Sequence, residues 1–436
     1  MALTLAEKSE KAKAGLLAGH EEFKKSGNAR EIFNDVNTAS LERFNSLGLY
    51  HKADELFTYV SVNKIFDLDF GGDFFLPTAV TAVTKADVEG ETFKGCESSV
   101  IVFVNGRFDR KLSDLSALTG VVIAELENAA EEDESAISDY LSKTVSTETD
   151  RYAALNGAFL SGGVSIDISS GTTVEDTIQV LHFNTGVVSM PRTHIKLRPG
   201  ASASIVERFV GENAKSFCNF VTDITLDNGS TLNLSSIQGS GYLLGKYRLT
   251  LAGQSTFNGV VAQPGGVLSR NNYEAHLEGE GAELNLSGVA VIENEDEAHN
   301  YIHVHHEAAN TRSDQTFRNI LKDASRASVD TTVDVHEAAQ LTVSHQLVNN
   351  LMLSDKTRIG GKPILMIKAD DVKCQHGATV GRIDDDQLFY LKTRGVSEVE
   401  AKKLLISSFA NAIIEKIKFT PLREAVELLL LSKLEG

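Results

Sequence analysis

A chain of 436 residues predicts two to four structural units with room for a large core. Its formal net charge of -18 would repel a phosphate backbone, which sets nucleic acid aside as a general partner. Hydrophobic residues make up 42% of it without a long apolar run, and its amino terminus, MALTLAEKSEKAKAGLL, scatters lysines where an h-region would stand, so it reads as globular and cytoplasmic, with no secretory signal and no membrane anchor.

Residues 1–95 read as a helical region and a connection. Leu5, Ala12, Leu16 and Leu17 lie among Lys and Glu, and from Asn28 to Leu47 the residues Ile32, Phe33, Val36, Leu41 and Phe44 recur at near-helical spacing. Each run is too polar to form a core alone and should pack on another part of the chain. From Asp67 to Glu97 periodicity is lost, which predicts a long, poorly ordered connection. Residues 96–159 read as a small mixed α/β segment: a strand at Val100–Val104 closed by Asn105-Gly106, then a helix from Ser135 to Val145.

Residues 160–382 are different in kind. Ile195 and Leu197 precede Pro199-Gly200, and Ile224 and Leu226 precede Asn228-Gly229, with Leu232 and Leu234 after it. Leu249 and Leu251 precede Ala252-Gly253, and Ala275 and Leu277 precede Gly279 to Gly281, with Leu284 and Leu286 beyond. With Gly200, Gly229, Gly253 and Gly281 as markers, the unit recurs every 24 to 29 residues. A drifting strand–turn–strand period marks a repetitive all-β architecture whose units bury their apolar faces against neighbours. Spacing does not separate a hairpin meander or a β-sandwich from a coiled solenoid.

That stretch ends in KPILMIKADDVKCQHGATVGRIDDDQLFYLKTRGVS, Lys362 to Ser397. Asp370 and Asp371 are read as turn or strand-end carboxylates that also place the Cys374 segment. Cys374 stands two residues before His376, and on a strand such residues project to the same side, roughly 6–7 Å apart. A thiolate and an imidazole so placed could serve a soft metal or sulfur. Cys96 and Cys218 have no such neighbour, and the three cysteines make no C-x-x-C pair or disulfide framework.

Residues 383–436 turn helical. Asp384 caps a helix through Thr393 that Gly395 stops, Ser397 and Glu400 form a capping box for a helix to about Phe419, and Pro421 opens a closing helix to Leu434. Leu404, Leu405, Phe409, Ile413, Ile414 and Ile417, then Leu422, Val426 and Leu428 to Leu431, cover more than one stripe. The surplus either packs back on the β region or forms a partner-docking surface.

The run ADDVKCQHGATVG followed by D-x-x-x-L-F-Y-L-x-x-R-G resembles the signature of the SufB/SufD family of iron-sulfur cluster assembly proteins, and the His-Gly after the Cys is similar to its SufD branch. GLYHKADELFTYVSVNKIF near the start and the block from His306 through Ser313, Gln315 and Phe317 also resemble family segments. The resemblance implies a mainly β fold with a right-handed parallel β-helix core and helical ends. It implies a non-catalytic scaffold that assembles or transfers iron-sulfur clusters in a SUF-type complex with a SufB-type subunit and a SufC-type ABC ATPase, the latter docked on the carboxy-terminal helices. A transient cluster at a subunit interface would use Cys374 and His376 as ligands, and the choice between heteromer and homodimer stays open.

A second constellation, Tyr301-Ile-His303-Val-His305-His306, puts His303 and His305 on one strand face and His306 on the other. Alone, H-x-H reads as a pair of solvent-facing histidines, and His299, His336 and His345 rank lower still as ligands. No phosphate-binding G-x-x-x-x-G-K-[ST] occurs, so any use of ATP falls to a separate protein. The other reading is a β-solenoid enzyme acting on polysaccharide, a class usually exported.

Overall fold

The computed structural model describes residues 3–26, 29–70, 81–126, 141, 145, 148–186, 188–211, 216–239 and 241–434. The alternating runs form strands as expected, and the corner between two runs carries them into different sheets. Phe217–Leu226 lies in one sheet, a corner at Asn228-Gly229 follows, and Thr231–Gln238 lies in the other. Tyr242–Leu251 then returns to pair in parallel with Phe217–Leu226. Repeated, this gives, among the described residues, two ten-stranded sheets facing one another across an apolar interior. The result is a mainly β chain built as a parallel β-solenoid with helices at both ends; the hairpin meander and the sandwich do not form.

Strand side chains alternate between faces, so Ile224, Leu226, Leu249, Leu251, Leu277, Val304 and Val335 stack inward, coil upon coil, almost fully buried. Each such burial stabilises by roughly 1.5–3 kcal/mol. The corners stack as well. Backbone N–H groups at Gly200, Gly229, Gln254 and Asn310 donate to carbonyls of Asn228, Gly253, Glu280 and Gln340 one coil on, at 2.8–2.9 Å. Gly200, Gly229 and Gly281 hold the left-handed conformation these corners need. At the third marker Gln254 takes that conformation instead of Gly253, and Asn310 and Leu341 take it in later coils.

Val100–Val104 turns through Asn105-Gly106 into an antiparallel Arg107–Phe108 and pairs in parallel with Ile178–Asn184 in the first sheet. Within the expected connection from Asp67 to Glu97, Thr84 and Asp87 form a capping box on a helix at Lys85–Glu91, and residues 71–80 lie outside the described residues. Most of the helix expected at Ser135–Val145 lies outside the described residues. Helices Leu5–Lys25, Asn34–Leu47 and Arg151–Ala158 contribute to an apolar cluster with Phe217, Leu244 and Leu268 of the second sheet, so the amino-terminal region does pack on the β part.

The carboxy-terminal caps form as expected: Asp384 caps Asp385–Thr393, and Ser397 with Glu400 boxes Glu398–Ile414. That second helix ends at Ile414, short of Phe419, and Ile417 in the following turn is fully buried. Ile406, Ile413 and Ile414, with Leu422, Val426 and Leu430 of Thr420–Leu434, cover Val206, Val260, Val289 and Ile320 on the first sheet.

The corner column yields a prediction. A left-handed residue with a side chain costs roughly 1–2 kcal/mol. A Cβ at Gly229 would meet nothing within 4 Å, and Leu341 is 51% exposed, so backbone conformation dominates at both. Gly229→Ala is expected to destabilise by about 1 kcal/mol and Leu341→Gly to stabilise by up to about 1 kcal/mol, after allowing for glycine's freedom in the unfolded chain. Urea-midpoint shifts of the same sign for the two would contradict the corner argument.

Candidate functional site

The solenoid ends in two strands, Arg358–Ile367 in the second sheet and Lys373–Gly381 in the first. Each pairs on one side only, Arg358–Ile367 with Arg326–Val335 and Lys373–Gly381 with Val343–Met352. Among the described residues their other edges have no strand partner. The turn joining them is pinned to the coil beneath: the Asp371 N–H donates to Gln340 Oε1 at 3.0 Å and its carbonyl accepts from Leu341 N–H at 2.7 Å. The two aspartates are thus turn residues, as expected.

Parallel register decides where Cys374 and His376 face. Cys374 pairs with Ser344 and His376 with Gln346, both buried. Followed back through the coils, the Cys374 row runs Ser344, Ser313, Leu284, Phe257 and Leu232, and the His376 row runs Gln346, Gln315, Leu286, Gly259 and Leu234. Both are inner-face rows that change from apolar to polar as they approach the end of the solenoid. Cys374 is half-buried and packs against the main core, while His376 is exposed. Burial pushes the Cys374 thiol up, opposed by a hydrogen bond with the Ser344 backbone. Cys96 and Cys218 are buried, each thiol pushed up to about 12 chiefly by that burial.

The Cys374 row carries a polar chain that sequence reading missed. Buried His306 lies 2.9 Å from Ser313 Oγ and 2.7 Å from Thr311 Oγ1, and Ser313 Oγ lies 2.9 Å from Ser344 Oγ. Nothing local in a sequence points to Ser344, because the ladder alone brings it beneath Cys374.

The second constellation sits elsewhere, on the outer face of the second sheet. Ile302, Val304 and His306 point inward and are buried, leaving Tyr301, His303 and His305 facing out, half-buried. His303 and His305 are thus less solvent-facing than expected: their ring centroids lie 3.9 Å apart, and His276 stacks on His305 at 4.5 Å. His276 is pushed up to about 9 by the neighbouring Glu274 carboxylate, 3.9 Å away, and by its hydrogen bond with Glu307, whereas burial and the neighbouring His303 and His276 push His305 down to about 4.

On the carboxy-terminal helices one stripe is used against the first sheet and a second stays open. Val399, Leu404, Leu428 and Leu429 are 38–75% exposed, and Phe389 and Tyr390 on the preceding helix are 68% and 57% exposed. Among the described residues no helix is long and apolar enough to cross a membrane.

Comparison with known proteins matches residues 181–409 to the SUF system FeS cluster assembly, SufBD core domain, and residues 8–180 to the SufBD protein N-terminal region. Over 428 residues the chain is 27% identical to an iron-sulfur cluster assembly SufBD family protein of Synechocystis sp., covering 94% of this chain and 92% of that one. It is 27% identical over 342 residues to the iron-sulfur cluster assembly protein SufD of Escherichia coli, covering 76% and 78%. It is 31% identical over 292 residues to protein ABCI7, chloroplastic, of Arabidopsis thaliana, covering 63% and 61%. These similarities turn the reading away from a polysaccharide-active enzyme. With its core-domain match spanning more than half of it, the chain belongs to the SufB/SufD family of iron-sulfur cluster assembly proteins.

Proposed function

We propose that the chain is a non-catalytic scaffold subunit of a SUF-type complex, in the position of the SufD branch, and helps to assemble or transfer iron-sulfur clusters beside a SufB-type subunit and a SufC-type ABC ATPase. One observation carries this: Cys374 and His376 share the inner face of the last strand of a sheet, whose outer edge has no strand partner among the described residues. The cluster is cargo. Thiolate suits iron and persulfide sulfur, and imidazole is a workable iron ligand, but two ligands leave a cluster's coordination incomplete. The other donors would come from an apposed subunit. An edge of Lys373–Gly381 with no strand partner among the described residues favours pairing with a similar strand, which would bring Cys374 to a shared interface. A second copy of this chain would present the same edge, and subunit masses of the purified complex distinguish heteromer from homodimer. The open stripe at Val399, Leu404, Leu428 and Leu429 would dock the ATPase, which supplies the nucleotide site this sequence lacks.

Cys374→Ser keeps the shape but is a poor soft-metal ligand and cannot carry a persulfide, and His376→Ala removes the imidazole from an exposed position. Each is expected to lower iron and sulfide content of the reconstituted complex by roughly tenfold or more, with circular dichroism unchanged. Cys96→Ser and Cys218→Ser should leave the yield per folded chain intact. Normal yield in both the Cys374 and His376 variants would overturn the site assignment.

For docking, removal of the helices would uncover the first sheet, so point changes on the open stripe are the cleaner test. Leu404→Asp and Leu428→Asp should each weaken capture of the ATPase by about 2 kcal/mol, roughly 30-fold, as for a buried interface anchor, while leaving the Leu422–Val426–Leu430 packing in place. Full-affinity capture by both variants would rule the stripe out.

A further inference from the structure

On the outer face of the second sheet, three sets of two imidazoles and one carboxylate converge on His305. They are Glu274, His276 and His305; His303, His305 and Asp334; and His305, Glu307 and His336, the donor atoms in each lying within 4.8 Å of one another. The ladder builds this cluster. His276, His305 and Asp334 are register partners on three adjacent strands, as are Glu274, His303 and Thr332, and neighbouring strands lie about 4.8 Å apart.

The three sets differ in what already occupies their donors. Glu274 holds Lys246 Nζ at 2.5 Å, and Glu307 holds His276 Nδ1 at 2.8 Å, so two of the carboxylates are engaged. His303 Nε2 is buried with no hydrogen-bond partner among the described residues. Among the described residues Asp334 is held less closely: Lys368 Nζ donates to Oδ1 at 3.3 Å, and His336 Nε2 lies 3.7 Å from Oδ2. A crowded face of imidazoles with one ring nitrogen buried and unmet is poorly explained as solvated surface, because the missing partner is a loss that an electron-pair acceptor would remove.

We propose that His303, His305 and Asp334 bind one divalent first-row transition-metal ion as a two-histidine, one-carboxylate set, with water completing its shell. Imidazole and carboxylate together suit zinc, ferrous iron, cobalt or nickel, and three protein ligands leave room for an exchangeable ligand. His336, beside Asp334, and His276, stacked on His305, orient the ligands from outside the set. This site lies on the opposite sheet from Cys374 and does not depend on the assignment made there.

The test uses the full chain carrying Cys374→Ser and His376→Ala, so that no ion can be held at the end of the solenoid and the two assignments fail separately. After chelator treatment the protein is titrated with Co2+, followed by its visible d–d absorption, and the bound ion is displaced with Zn2+. One equivalent is expected. His305→Ala, His303→Ala and Asp334→Asn should each weaken binding more than about 100-fold, and His336→Ala by roughly 10-fold, the range of an outer partner. Thermal unfolding without metal checks the fold, with His305→Gln as a second variant that keeps a polar side chain of similar reach but loses the imidazole ligand. No stoichiometric Co2+ binding, unchanged binding in folded His305 variants, or a loss from Glu307→Gln equal to that from Asp334→Asn would each overturn the proposal.

Discussion

The backbone ladder between successive coils is the constraint on which the rest of this molecule depends. Strands one coil apart pair in parallel and in register, as in Tyr242–Leu251 on Phe217–Leu226 and Glu283–Ile292 on Thr256–Gln263. Because side chains alternate strictly, a residue's row and face are inherited from the coil below. Chemistry is therefore assembled in rows. Ser313, Ser344 and Cys374 make one row inside the first sheet, and His276, His305 and Asp334 another outside the second.

The same ladder creates the need it cannot meet. Among the described residues every inner strand pairs on both sides, whereas Arg358–Ile367 and Lys373–Gly381 pair on one side each. At this end the interior also stops being sealed: the rows that are Leu232 and Leu234 earlier become Ser and Gln, then Cys374 and His376, less buried than the coils before them. An unpaired edge and an inner row ending in a thiol and an imidazole arise together, because both follow from the ladder having no further coil.

The outer faces are divided between the two ends of the chain. The carboxy-terminal helices cover the apolar outer face of the first sheet, and Arg318 anchors them by donating to the Phe409 carbonyl at 2.7 Å. The amino-terminal helices cover Phe217, Leu244 and Leu268 near the starts of strands in the second sheet, leaving His303 and His305 on its later strands half-buried, with Asp334 buried beside them. The two helical regions thus leave different surfaces behind, one apolar on the carboxy-terminal helices themselves and one polar on the sheet.

Local physical chemistry was legible in the sequence. Alternation around Gly200, Gly229 and Gly281 announced the strands and corners, since a left-handed turn favours glycine, and Ser397 with Glu400 announced a helix start, since a capping box is complete within four residues. The Cys374 and His376 pair was visible for the same reason: two residues apart on a strand is a local relation. Where the outcome depended on another coil, the sequence was silent. Gln254, Asn310 and Leu341 take the left-handed corner because the stacked coils impose it. The helix stops at Ile414 because Ile417 is buried from the turn beyond, although the apolar pattern continues through it. Ser344 under Cys374, and Asp334 beside His305, are neighbours only through register, a long-range agreement between strands that no spacing within a single strand encodes.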